Sequence, residues 1–251
     1  MIKIEAVTVM FGGVRPLSEL TVDLDGSIVG IVGPNGAGKT TLLNVLSGFV
    51  QPKSGRVAVD GVDITTMAPF ARARWGIRRT FQTEQVAETA TVHDNVAVVL
   101  DAVGMSRVAR REAVATALRI TGLSDKSGDP AIGLNSYERR LVEIARAIAG
   151  APRVVMMDEP AAGLSDVESR EFRDLVVSLP ELTGAMVVLI DHDVDLIASV
   201  CVETAVLDFG RLIAYGQTAD VLDDPDVKAA YLGTAEVHTA DGIDPVEELE
   251  T

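Results

Sequence analysis

The residues with the plainest chemistry form one run, Gly33-Pro34-Asn35-Gly36-Ala37-Gly38-Lys39-Thr40-Thr41. Its glycines let backbone N–H groups turn toward one point, a nest that suits phosphate oxygens. Lys39 adds a cation for the β- and γ-phosphates, and Thr40 a hydroxyl for Mg²⁺. A second group is the carboxylate pair Asp158-Glu159, at the end of the apolar run Val154-Val155-Met156-Met157. Asp158 suits metal coordination through water, and Glu159 suits polarisation of an attacking water. An acidic pair after an apolar run is common alone. It gains meaning from the glycine run about 120 residues earlier.

Taken alone, Phe11, Gln82 and His192, the last between Asp191 and Asp193, read as a core Phe, a solvent-facing Gln and a structural His. His93 and His238 lack such a context. Asp208-Phe209-Gly210 reads as a hairpin turn.

These groups need elements to hold them. Residues 2–9 and 20–24 alternate as strands, and 27–32 form a continuous apolar strand. Residues 42–46 read as a helix closed by Gly48. Residues 56–59 form a strand entering the turn Asp60-Gly61. Residues 92–121 are mostly helical with a break at Gly104, and 141–149 and 166–178 are helices. Residues 154–157, 186–190 and 204–207 are short buried strands. Alternating buried strands and helices predict an α/β fold with a mostly parallel sheet.

Composition narrows the function class. At about 150 residues per domain, 251 residues predict one to two domains. A 47% hydrophobic content excludes whole-chain disorder. A lone Cys201 excludes a disulfide scaffold. The net charge of −15 argues against nucleic acid. Six acidic residues and no Lys or Arg fall in residues 234–251, read as a flexible acidic tail. Arg72, Arg74, Arg78 and Arg79 read as a solvated basic face beside Gln82, at the nucleotide edge or that of a membrane partner. No apolar run reaches the roughly 20 residues of a spanning helix, and the charged N-terminus is unlike a signal peptide. The chain is expected to be soluble and cytoplasmic, with any membrane role through a partner.

From about residue 2 to 233 the sequence resembles the ATP-binding subunit of an ABC transporter. Residues 33–41 resemble its Walker A, 154–160 its Walker B with catalytic Glu159, and 161–166 its D-loop. Gln82 and His192 match the Q-loop and switch residues, and Phe11 the adenine-stacking aromatic. Phe11-Gly12-Gly13, Arg78-Arg79-Thr80-Phe81-Gln82, Glu159-Pro160-Ala161-Ala162-Gly163-Leu164 and residues 226–233 resemble the branched-chain amino acid importer ATPases. Urea-importer and lipopolysaccharide-export ATPases are similar by the same pattern. The resemblance implies a P-loop NTPase fold with a RecA-like core and an antiparallel β subdomain (1–82 and 147–233). It also implies an inserted α-helical subdomain (83–146), followed by the tail 234–251. It implies ATP and Mg²⁺ as cofactors, with Thr40, Gln82 and Asp158 on the metal. It further implies permease partners, an indirectly coupled substrate-binding protein, and a peripheral place on the cytoplasmic face of the inner membrane.

One stretch departs from the family. Where the signature reads Leu-Ser-Gly-Gly-Gln/Glu, this chain has Leu134-Asn135-Ser136-Tyr137-Glu138. In the family this segment meets the γ-phosphate bound by a neighbouring subunit. Tyr137 puts a large side chain where glycine permits close approach. The departure implies a heterodimer in which a second ATPase supplies an intact signature. The main expectation is an importer motor for branched-chain amino acids or a related small polar solute. The alternatives are an exporter or lipid-extraction ATPase, and a nucleotide-regulated subunit with weak hydrolysis. An ABC ATPase acting on DNA or ribosomes is disfavoured by the acidic charge.

Overall fold

The computed structural model describes residues 1–82, 85–101 and 103–229. The acidic tail and residues 230–233 lie outside the described residues. The strands are β1 (Ile2–Phe11), β2 (Val14–Leu24), β3 (Ile28–Val32), β4 (Ser54–Val59), β5 (Val62–Asp63), β6 (Ile77–Arg79), β7 (Val154–Asp158), β8 (Met186–Ile190), β9 (Glu203–Asp208) and β10 (Arg211–Gln217). The helices are α1 (Lys39–Ser47), α2 (Pro69–Trp75), α3 (Val92–Ala97), α4 (Arg107–Ile120), α5 (Ser136–Ile148), α6 (Asp166–Thr183), α7 (Val194–Val200), α8 (Thr218–Asp223) and α9 (Pro225–Val227).

Two sheets share a core. The first is antiparallel, ordered β2-β1-β4-β5. The second is ordered β10-β9-β3-β8-β7-β6, parallel from β6 to β9 with β10 antiparallel at its edge. In β7, Val154 and Met156 face α1 and the first sheet, while Val155 and Met157 face α5 and α6. Both faces are covered, which is why this strand reads as an unbroken apolar run. Ile31 pairs with Ile190, and Ile190 with Asp158, so the strand ends lie level. The parallel arrangement therefore delivers the loops after β3, β6, β7 and β8 to one edge of the sheet.

Several elements differ from the sequence expectations. β2 begins at Val14, six residues early, and tolerates Pro16 because it is an edge strand. α6 runs past Pro180 to Thr183, held down by the fully buried Leu179. Helix α2 opens on Pro69, whose fixed φ suits a first helical turn. Asp208-Phe209-Gly210 is a hairpin turn as expected, with Phe209 and Gly210 both at positive φ.

The arginine cluster is not a solvated face. Arg74 is exposed, but Arg72 is 1% and Arg78 5% exposed. Arg72 donates to the carbonyls of Val45 (2.5 Å), Leu46 (2.9 Å), Met67 (2.8 Å) and Thr65 (2.9 Å). Val45 and Leu46 belong to the last turn of α1, where carbonyls lack helical partners and the dipole is negative. Arg72 thus caps the helix that carries Lys39 and ties it to α2. Burial lowers its pKa to about 10, which still leaves it charged at neutral pH. Replacement by Met removes four hydrogen bonds, two of them buried, and leaves the Val45 carbonyl with the Gly48 N–H alone. Arg72→Met is expected to destabilise the chain by about 3 kcal/mol, read as a lower urea midpoint at unchanged m-value.

Candidate functional site

The loop after β3 wraps tightly because two of its glycines have no alternative. Gly33 has φ +148°, and a Cβ there would lie 2.1 Å from the Leu207 carbonyl oxygen. Gly38 has φ +103°, and a Cβ would lie 2.3 Å from the Pro16 carbonyl oxygen. Gly38 is also the N-cap of α1, so the loop ends on a positive helix terminus. Lys39 is 7% exposed, and its ammonium donates to the carbonyls of Gly33 (2.6 Å) and Pro34 (3.0 Å). Burial lowers its pKa, while Glu159 and Asp158 raise it. The cradle thus holds a half-satisfied cation beside a helix N-terminus, which fits a polyphosphate. Thr40 and Thr41 follow on the first turn of α1.

Asp158 and Glu159 leave β7 at the same edge. Asp158 is 4% exposed, and burial raises its pKa against the pull of Arg79 and Lys39. Glu159 has φ +49°, a left-handed conformation, and donates its N–H to the Ile190 carbonyl at 2.8 Å. That strained turn aims its carboxylate at two partners. Gln82 Nε2 donates to Glu159 Oε2 at 3.0 Å, and His192 Nε2 lies 2.7 Å from Glu159 Oε1. Gln82 is exposed but not merely solvent-facing, and His192 bonds the carboxylate rather than the core. Phe11 ends β1 at 53% exposure, so it is not a core residue. Among the described residues, no group of three or more His, Cys, Asp or Glu could hold a metal ion.

Three residues escaped the sequence reading. Arg79 Nη2 lies 3.5 Å from Asp158 Oδ2, and its Nη1 donates to Asn44 Oδ1 at 2.7 Å and Ser47 Oγ at 3.2 Å. Its guanidinium also stacks over Phe81, 4.7 Å from the ring centre. Asp191 accepts from the N–H groups of Ala161 (3.3 Å) and Asp193 (3.0 Å), joining the loops after β7 and β8. Arg140, on α5, donates to the carbonyls of Pro160 (2.5 Å) and Ala162 (2.9 Å). Only the proximity of an arginine cluster to Gln82 hinted at the first.

The departing signature stretch opens α5. Asn135 Oδ1 accepts from Glu138 N–H at 2.8 Å, and Glu138 Oε2 accepts from Asn135 N–H at 3.1 Å. This capping box uses two of the N-terminal donors internally. Tyr137 packs against the core, and burial beside Glu168 and Glu171 pushes its pKa up to about 12.

With that geometry in place, comparison with known proteins is decisive. The profile described as ABC transporter matches residues 17–162. The chain belongs to the ABC transporter ATP-binding family. This membership makes the fold an ABC ATPase cassette, a P-loop nucleotide-binding fold of mixed strands and helices. A second profile, described as branched-chain amino acid ATP-binding cassette transporter, matches residues 211–237. The cassette is 33% identical to the high-affinity branched-chain amino acid transport ATP-binding protein BraF of Pseudomonas aeruginosa, over 94% of this chain and 98% of that protein. It is 36% identical to the lipopolysaccharide export ATP-binding protein LptB of Acidithiobacillus ferridurans, over 83% of this chain and 86% of that protein. It is 35% identical to the methionine import ATP-binding protein MetN 2 of Yersinia pestis, over 83% of this chain, but spans only 65% of that longer protein. Among solved structures, the ADP conformation of the ATP-binding cassette MJ1267 superposes with a TM-score of 0.81 at 29% identity, covering 93% of this chain and 98% of that one. Among the described residues, no helix is long and apolar enough to cross a membrane.

The raised pKa of Asp158 has a stability consequence. The native state holds this proton more tightly than the unfolded chain does, so stability falls as pH rises through the native pKa. The penalty is fully present once pH exceeds the native pKa. Asp158→Asn in the nucleotide-free cassette is therefore expected to melt higher than wild type at pH 7.5. The gain should shrink as pH falls into the carboxylate range, measured by thermal scans across pH.

Proposed function

We propose that this cassette is the ATP-hydrolysing motor subunit of an importer for branched-chain amino acids or a related small polar solute. The observation that carries the catalytic part is Glu159, held between Gln82 and His192 at the mouth of the phosphate loop. In this reading the triphosphate lies along residues 33–41, with the base on Phe11. Lys39 gives up the Gly33 and Pro34 carbonyls for β- and γ-phosphate oxygens. Thr40, Gln82 and Asp158 would hold Mg²⁺, which would supply charge neutralisation for the triphosphate. Glu159 accepts the proton of the attacking water. His192 donates to the γ-phosphate, and Gln82 reports the phosphate state to the helices α3 to α5. Those helices move transmembrane permease partners. The substrate assignment is supported by the match over residues 211–237 and by the full-length similarity to BraF.

The second subunit is proposed to be a different ATPase. Asn135 and Glu138 cap their own helix, and Tyr137 replaces a glycine, so this signature is a poor receptor for a neighbour's γ-phosphate. A heterodimer then has one sound site, built from this chain's phosphate loop and the partner's signature. The similarity to LptB favours a second reading, an exporter with the same chemistry.

Glu159→Gln is expected to bind ATP with unchanged affinity and to lose at least about 100-fold in kcat, measured by phosphate release and nucleotide titration. Undiminished turnover would remove Glu159 from its role. The wild-type chain alone is expected to turn over slowly at every concentration, and to accelerate at least about tenfold with an ABC ATPase carrying an intact signature. Fast turnover that rises with self-association would sink the heterodimer. In proteoliposomes with co-purified permeases, stimulation by a branched-chain amino acid with its binding protein supports import; stimulation by lipid alone supports export.

A further inference from the structure

Asp191, the first residue after β8, is a buried carboxylate whose charge the hydrolytic chemistry does not use. It is 6% exposed. Its partners are backbone N–H groups, and the charged side chain that acts on it, Asp193, is itself acidic. Burial pushes its pKa up, against the pull of the N–H groups of Asp193, Ala161 and His192. Burying a carboxylate is costly, and an Asn or Ser side chain serves an ordinary turn as well. Here both oxygens are in use. Oδ1 accepts from the Asp193 N–H at 3.0 Å, and Oδ2 from the Ala161 N–H at 3.3 Å. Asp193 is fixed in turn, because its Oδ1 caps α7 through the Leu196 N–H at 3.0 Å.

These bonds close a ring around two functional side chains. Ala161 lies two residues after Glu159, and Asp191 directly precedes His192. The loops after β7 and β8 meet at three points. The Glu159 N–H donates to the Ile190 carbonyl at 2.8 Å, Ala161 meets Asp191, and His192 Nε2 lies 2.7 Å from Glu159 Oε1. The first tie fixes where Glu159 leaves the sheet. The third is the pair itself, whose side chains are 46% and 21% exposed. Pairs open to solvent hold themselves together weakly. The spacing therefore depends on the second tie, which is buried. An amide is no substitute there. Both oxygens face donors, and Asn would turn its own NH₂ toward one of them.

We propose that Asp191 is the positioning residue of this site, setting the separation of His192 and Glu159 by gripping one loop at Ala161 and the other at Asp193. The proposal rests on the hydrolytic role given to Glu159 above and deepens it. Turnover is measured in the complex with an ABC ATPase that carries an intact signature. Asp191→Asn is expected to lose about tenfold in single-turnover phosphate release. Its ATP affinity is expected to stay within about twofold of wild type, because the bonds of Asp191 run to the loops after β7 and β8 and not to residues 33–41. Asp191→Ala removes both ties and is expected to lose at least as much. In a His192→Ala background either substitution is expected to cost less than about twofold further, since the spacing it disturbs is already gone. The ring nitrogen resonances of His192, identified by their absence in His192→Ala, give a readout independent of turnover. In Asp191→Asn they are expected to move in the direction they move in Glu159→Gln. Unmoved resonances overturn the proposal, as does unchanged turnover in both Asp191 variants. A full tenfold loss on top of His192→Ala overturns it too. So does a lower melting temperature with ATP affinity falling in step with turnover, because Asp191 then only braces the fold. Undiminished turnover in Glu159→Gln strikes the hydrolytic reading instead, while the resonances still report the spacing.

Discussion

The parallel register of the central sheet is the constraint on which the rest depends. β3, β7 and β8 are hydrogen-bonded neighbours in the order 3-8-7, and they end level. Each is followed by a loop bearing one part of the chemistry: the glycine cradle, the acidic pair and His192. Antiparallel pairing would send neighbouring loops to opposite edges. Both faces of the sheet are covered by apolar packing, so its edge is held by the whole core. The site inherits rigidity from that core and needs few contacts of its own.

Electrostatics supplies the second layer. The chain is acidic overall, yet three arginines from one short segment are buried, and each has a different fate. Arg72 spends its donors on the carbonyls ending α1. Arg79 meets Asp158 and stacks on Phe81, touching at once the nucleotide edge and an aromatic cleft walled by Phe49, Phe70 and Phe81. Arg78 keeps unmet donors. An arginine's role here follows from which carbonyl or carboxylate the backbone brings within reach. Adjacent positions on β6 point to opposite sides, so Arg78 and Arg79 find different partners although both border the aromatic cleft.

Much of this was legible in the sequence, for identifiable reasons. The glycine cradle was readable because the demand on φ restricts residue type sharply at Gly33 and Gly38. The buried strands were readable because parallel sheets leave long apolar runs. The arginines were misread, since sequence carries no sign of whether a carbonyl lies nearby; Arg72 and Arg74 differ only in which side of a two-turn helix they occupy. The start of β2 was hidden by Pro16, acceptable only because that strand turned out to lie at an edge. Gln82, Glu159 and His192 were named separately. That one carboxylate joins all three is a property of the strand order, which is non-local.

Arg140 ties two ends of the molecule together. It sits on the helix whose first turn is the altered signature, and its guanidinium grips the backbone just after Glu159. A displacement of that first turn is therefore passed, through about one turn of rigid helix, to the loop that aims the Glu159 carboxylate. The two nucleotide sites of a dimer would then be geared rather than independent. In the proposed pair, even a signature too poor for chemistry would transmit the partner's touch inward.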